Sequence, residues 1–454
     1  MGIPSLLDWG RARRPFVTLT LALLAGASGC GDDAAPAPLA TPDLVGCDIT
    51  TSPCQRGIYN SVAAMLDASG YLMPSIRTIS VDQHADEVRS GLDLEDLTGE
   101  DAETRGLRLM GFILPASESL TATQADYWIT QVAAYYSRGS NSVTVIDRDY
   151  EPGVGQFILA HEFVHSIQDS QFNLNTVGSG ADTEDRVMGV RSVIEGDANH
   201  SAYAWYFETN GYAPEDIDWS GLHEEGTTRL QERAADAEVA LIDTASSFPY
   251  SYGTQFMTNL ALAEGLAGRT VAFGAPPETG AEVMRGYGMG VPQVDFPGAA
   301  HPAPVEGHEL AVENRVGAWY VYGTLRRQGM AHDAAWDIAL SWVGDELAIY
   351  ETGDEVVAVW RVRFEDAASP VLLSEEINRA GDAGAKLAVP FGDDAFVFAA
   401  ESSETLLAWA SQPLDSMMAS IVPKSQRRMR GAVSPGTCMK TRDFSIPKPA
   451  VLLQ

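Results

Sequence analysis

Two histidines four residues apart, His161 and His165, with Glu162 directly after the first, stand in the apolar run Phe157-Ile158-Leu159-Ala160-His161-Glu162-Phe163-Val164-His165-Ser166-Ile167-Gln168. On a helix, positions i and i+4 lie one turn apart on the same face, so both imidazoles can aim a ring nitrogen at one ion. Glu162 is rotated about 100° from His161, close enough to touch a metal-bound water without ligating the metal. Hydrolysis needs that arrangement. Zinc lowers the pKa of its bound water to about 7, and a neighbouring carboxylate can take the proton as the water attacks a carbonyl. The pentapeptide alone is a weak signal, expected by chance in about one such chain in a hundred. The plain alternative is a core helix with two histidines on its polar edge. Against it stand the apolar flanks, the strand-like Val143 to Asp147 upstream, an export signal and a suitable third ligand downstream.

The third ligand separates subclasses. A glycine and a third histidine at the spacing of a metzincin are missing, since Gln168 and Gln171 occupy those places. A second helix can supply a glutamate instead, and two candidates exist, Glu184 and Glu195. Glu184 sits in the polar Gly-Ala-Asp-Thr-Glu-Asp and reads as a capping or solvated residue at a helix start. Glu195 lies among apolar neighbours in Val190-Arg-Ser-Val-Ile-Glu-Gly-Asp-Ala-Asn199, where a lone carboxylate would cost several kcal/mol, so it is the favoured ligand. Gly196 would let the two helices approach closely, and Asn199, one turn on, can orient a ligand histidine. Gln168 and Asp169 can do the same from the first helix. For the oxyanion, Tyr250 is the first candidate, with Tyr252, His200 and His308 behind it. Gly153-Val-Gly155 reads as a turn before the metal helix, and Pro276-Pro277-Glu-Thr279 as a rigid turn whose Thr279 caps a helix.

These motifs resemble a family. Thermolysin-like gluzincins share the His-Glu-x-x-His helix and a downstream helical glutamate, with an aspartate one turn later where this chain has Asn199. More closely, the chain resembles a group of largely uncharacterised bacterial zinc metallopeptidase-like proteins from roughly Arg56 to Phe364. The resemblance is carried by Ala134-Tyr135-Tyr136, His161 to Phe172, Glu195-Gly-Asp-Ala198, Phe248-Pro-Tyr250-Ser-Tyr-Gly253, Pro276 to Thr279 and Trp342-Val-Gly344-Asp345. It implies a zincin-like catalytic domain holding one zinc and carries over no settled substrate.

The elements that must position these residues read as mixed α and β without regular alternation, hence α+β. Helical spacing covers 56–67, 121–136, 155–169, 186–208, 228–241, 252–265 and 312–328; strand-like runs cover 76–81, 143–147, 356–364 and 387–399. The expected fold is a zincin-like one: an active-site helix, a small sheet with an edge strand, and a mostly helical second half. An exposed strand at Val143 to Asp147 beside a long groove would favour peptide substrates, because an extended chain pairs with a strand edge. A small closed pocket would favour other amides or esters.

The ends read as address and tether. Arg11, Arg13 and Arg14, the apolar Phe16 to Leu24 and Ala27-Ser28-Gly29-Cys30 resemble a bacterial lipoprotein signal over 1–29, with Cys30 acylated as the mature N-terminus. An ordinary secretory signal cut nearby is the alternative; both export the chain. Gly31 after the cysteine resembles the sorting pattern of outer-membrane or surface lipoproteins. Residues 30–45 form a Pro-rich tether, 46–365 the catalytic domain and 366–454 a strand-containing extension with a basic tail. Of Cys47, Cys54 and Cys438, two are expected to pair in an oxidising compartment, by a pairing the sequence leaves open. With 62 Asp plus Glu against 30 Lys plus Arg, the chain would repel phosphate backbones, which argues against a nucleic-acid partner. The expectation is an exported, lipid-anchored zinc metallopeptidase acting on a peptide or protein. Its alternatives are an inactive binding lipoprotein of the same fold and a zinc hydrolase of non-peptide amides or esters.

Overall fold

Apolar residues on every side of Val154–Phe172 make it a buried helix, with every position from Val154 to Gln168 out of solvent. Gly153, at φ 87°, turns the chain into it, a conformation that favours glycine. The computed structural model describes residues 44–91, 101–114, 120–148, 150–151, 153–286, 305, 307–353, 355–380 and 385–410. The leader, Cys30, the tether, Cys438 and the basic tail lie outside the described residues.

The first sheet follows helix α1 (Ser52–Met65) and consists of β1 (Ser75–Ser80), β2 (Ala134–Ser137) and β3 (Ser142–Asp147) in the order β1-β3-β2. Helix α2 (Leu120–Gln131) leads into β2. β1 runs parallel and β2 antiparallel to β3. The strand expected to offer an exposed edge, Val143 to Asp147, is therefore the central one; the edges are β1 and β2. Its four consecutive buried residues, Val143 to Ile146, suit a strand flanked on both sides. This sheet, α1 and α3 (Val154–Phe172) close one core with the inward residues Ala198, Ala202 and Trp205 of α4 (Glu184–Thr209).

After α4 come α5 (Trp219–Ala235), α6 (Thr254–Glu264), α7 (Leu266–Gly274) and α8 (Ala318–Arg327) among shorter helices. Behind them stands a five-stranded antiparallel sheet of β4 (Glu309–Asn314), β5 (Trp342–Thr352), β6 (Glu355–Phe364), β7 (Ala385–Phe391) and β8 (Asp394–Ala400) in the order β4-β5-β6-β8-β7. The second half is mostly helical, as expected, and it also carries the larger sheet. Its strands lie on both sides of the boundary expected at 365, since β8 pairs with β6 from Val357↔Ala400 to Arg363↔Asp394. Asp345 pins β5 to the start of α8: its buried carboxylate accepts from the backbone of Val316 (3.0 Å) and Gly317 (2.9 Å) and from the indoles of Trp342 (3.2 Å) and Trp360 (2.8 Å).

Cys47 and Cys54 are bridged, which settles the pairing in favour of the short loop. Thr279 caps the helix Gly280–Arg285 by accepting from the Glu282 amide. Among the described residues no helix is long and apolar enough to cross a membrane.

Candidate metal centre

α3 presents His161 and His165 one turn apart, and α4 crosses to set Glu195 against both. Nε2 of His165 is 3.2 Å, and Nε2 of His161 3.4 Å, from the same Glu195 oxygen, Oε2. Among the described residues this is the one trio of His, Cys, Asp or Glu gathered closely enough to hold a metal, with donor atoms within 4.8 Å of one another. Tetrahedral zinc with bonds of 2.0–2.1 Å holds its donors about 3.3 Å apart, which the two carboxylate–imidazole separations match. Both ring nitrogens of His161 are buried without a hydrogen-bond partner among the described residues, an expensive arrangement that an ion relieves. Two imidazoles and one carboxylate fit zinc with one position to spare. Glu184, the alternative ligand, is instead the first residue of α4, capped by Thr183, and lies outside the trio.

The centre is enclosed. His161 and Glu162 are 0% exposed, Glu195 2% and His165 7%. Burial drives the pKa of His161 down to about 4. Burial also opposes charge on His165, but the Glu195 carboxylate overrides it and raises that histidine to about 9. The same pairing holds Glu195 well below the carboxylate range although its burial works the other way.

Hydrogen bonds around the trio fix its geometry. Oε1 of Gln168 accepts from Nδ1 of His165 at 2.8 Å, which fixes the ring so that Nε2 faces Glu195. The Gln168 amide donates to the Ile194 carbonyl (2.9 Å) and to Asp197 Oδ2 (2.8 Å), so its orientation is dictated by two acceptors. Asp197 is in turn gripped bidentately by Arg269 of α7 at 2.7 and 2.8 Å. Asn199 donates to the Tyr250 carbonyl and to Thr254 Oγ1, both at 3.2 Å, which ties α4 to the Tyr250 turn. Asp169, expected to orient a histidine, instead accepts from the Tyr136 hydroxyl (3.0 Å) and the Leu174 amide (2.9 Å). At the end of α3 it ties the helix to β2 and the following turn.

Tyr250 lies in a π-helical turn, Pro249–Gly253, of the kind often found at functional sites. Its ring stacks on His161 at 6.3 Å between centroids, tilted by 23°. Gly196 makes room for this turn: a Cβ there would fall 2.2 Å from the Gly253 carbonyl oxygen. The close approach that Gly196 permits is therefore to the Tyr250 turn, not to α3. Burial pushes the Tyr250 hydroxyl well above its ordinary pKa, so it stays a donor. The other oxyanion candidates are committed to packing. Tyr252 accepts from Gln231 at 2.6 Å and stacks in the core with Phe248 and Trp336. His200 bonds Thr258 and packs on Trp219, and His308 meets Trp409 edge-on behind the larger sheet.

Sequence reasoning missed two features. Arg191, one turn before Glu195 on α4, has a buried Nη2; its signal was an arginine four residues from a ligand in an otherwise apolar run. Arg269 gave no signal, since nothing in the sequence links it to Asp197 seventy-two positions earlier. No family model, curated protein or solved structure matches this chain.

Proposed function

We propose that the chain is a zinc metallopeptidase of gluzincin type, exported and held at the membrane through an acylated Cys30. The observation that carries this reading is the buried trio His161, His165 and Glu195 with the Glu162 carboxylate enclosed beside it. These three residues would hold zinc, which would supply Lewis acidity and a more acidic attacking water. Glu162 takes the proton of the attacking water on its carboxylate and passes it to the leaving nitrogen. The Tyr250 hydroxyl, kept protonated by burial, donates to the developing oxyanion. Gln168 holds the His165 imidazole in place through these steps.

A second reading, a metal-stapled binding lipoprotein, draws on the enclosure of the centre, as does hydrolysis of small non-peptide amides or esters. Glu162 weighs against the staple. Hydrolysis needs a carboxylate base enclosed beside the metal, whereas a purely structural metal has no use for one. Zinc-loaded wild type and Glu162→Gln, incubated with a proteome-derived peptide library and with N-acetyl amino-acid esters, separate the three. Peptides cut by the wild type alone support the peptidase; esters alone support the other hydrolase; no turnover of either supports the staple.

A further inference from the structure

Arg191 and Glu195 occupy positions i and i+4 of α4, so their side chains share one face of that helix. Glu195 is claimed by the two histidines. Nη2 of Arg191 is buried with no hydrogen-bond partner among the described residues. Glu195 and Glu184 are the carboxylates whose charge reaches it.

Two deeply buried arginines elsewhere each grip a carboxylate. Arg269, 4% exposed, is forked onto Asp197, and Arg361, 1% exposed, is paired with Asp394 at 2.7 Å. A guanidinium donor buried without an acceptor loses its hydration and gains nothing in return, a cost of about 1–3 kcal/mol or more. Next to a reaction centre, that donor is an opening for a ligand. The guanidinium fork matches a carboxylate, with two parallel N–H···O bonds. Four residues of helix separate Arg191 from Glu195 by about 6 Å along the axis. An extended peptide advances about 3.3 Å per residue, so a group bound by Arg191 belongs to a residue one or two positions from the bond over the metal.

We propose that Arg191 anchors a substrate carboxylate within two residues of the scissile bond, so that the centre selects an acidic side chain or a free C-terminus there. This rests on the reading of His161, His165 and Glu195 as a hydrolytic zinc centre. The chain's charge of −32 disfavours acidic ligands in general, which leaves Arg191 as a local device for selecting them.

The test uses zinc-loaded full-length protein carrying Glu162→Gln to prevent turnover, titrated calorimetrically with two pairs of probes. One pair is acetyl-Ala-Phe with a free C-terminus and its amide. The other is acetyl-Ala-Glu-Ala-amide and acetyl-Ala-Gln-Ala-amide. The acid of at least one pair should bind at least tenfold more tightly than its neutral partner. A preference in the first pair identifies the C-terminal carboxylate as the ligand, and in the second the acidic side chain. Arg191→Met should abolish the preference and Arg191→Lys keep part of it, with zinc content unchanged in both. Since Nη2 of Arg191 has no hydrogen bond to lose among the described residues, Arg191→Met should melt close to the parent temperature. Equal binding within both pairs, no binding of any probe, or a marked fall in melting temperature overturns the proposal. So does an acid preference that survives Arg191→Met, which would put the carboxylate on the metal itself. Protein that binds no zinc overturns the hydrolase reading and this proposal together, whereas a missing preference with zinc in place overturns Arg191 alone.

Discussion

Nδ1 of His165 donates to Gln168 at 2.8 Å, and through the Gln168 amide that histidine is tied to Asp197 and then to Arg269. A ligand on one helix is thus oriented by a residue one turn further along and braced by two more from other helices. Partners of this kind set the tautomer and the ring angle of a ligand histidine, and their loss costs about 10–100-fold in metal affinity.

Gln168→Met should therefore weaken zinc binding by about that factor while the protein stays folded. Competition with a chromophoric chelator measures it, and affinity within threefold of wild type would show that His165 needs no such support. Asp197→Ala leaves the Arg269 charge buried without its carboxylate, so it should cost about 3–5 kcal/mol of stability by urea unfolding.

Gly196 and Gly253 are packed backbone to backbone, and a methyl group on Gly196 would meet the Gly253 carbonyl oxygen at 2.2 Å. Since neither partner is a flexible side chain, Gly196→Ala must push the Tyr250 turn away from α4. Overpacking of this kind costs about 1–3 kcal/mol. A lowered melting temperature together with a larger drop in kcat than Tyr250→Phe would fit this account; a neutral Gly196→Ala would not.

Acid should destabilise the fold through histidines that are not ligands. His223, 8% exposed and with Nε2 lacking a partner among the described residues, is held by burial at about 4 against an ordinary 6.5. The unfolded chain takes up that proton first, so the contribution is whole above pH 6.5 and is lost as pH falls toward 4, about 3 kcal/mol in all. His200 behaves alike, lowered to about 4 by burial. Asp243 opposes them: burial raises it to about 6, so its contribution is whole below pH 3.8 and is lost as pH rises toward 6. In chelator, urea midpoints measured at pH 7, 6 and 5 should fall toward acid, and His223→Leu should flatten the fall.

Much of the centre was legible because its chemistry is local. His161, Glu162 and His165 share one helix, and the apolar neighbours of Glu195 marked a carboxylate that needed a partner. Elements whose identity comes from pairing were harder to read. Ala134-Tyr135-Tyr136 continues the helical spacing of α2, yet it is strand β2, because β3 lies alongside to take its hydrogen bonds. The helix expected from 312 begins at Ala318, since β4 pairs with β5 up to Asn314 and Gly317, at φ 89°, turns the chain. The run at 387–399 is two strands folded at Gly392, whose φ is 59°. β5 escaped notice because Asp345, Glu346 and Glu351 break its apolar pattern, and the buried Asp345 is tolerated only for the four donors that converge on it.

Zinc content decides the central claim most directly. Purified residues 31 to 454, as wild type, Glu162→Gln and Glu195→Ala, would be measured by mass spectrometry after equilibration with zinc. One zinc per chain in the first two and a loss of most of it in Glu195→Ala is the expected result. A folded wild type that holds no zinc, or a Glu195→Ala protein that keeps all of it, would contradict the account.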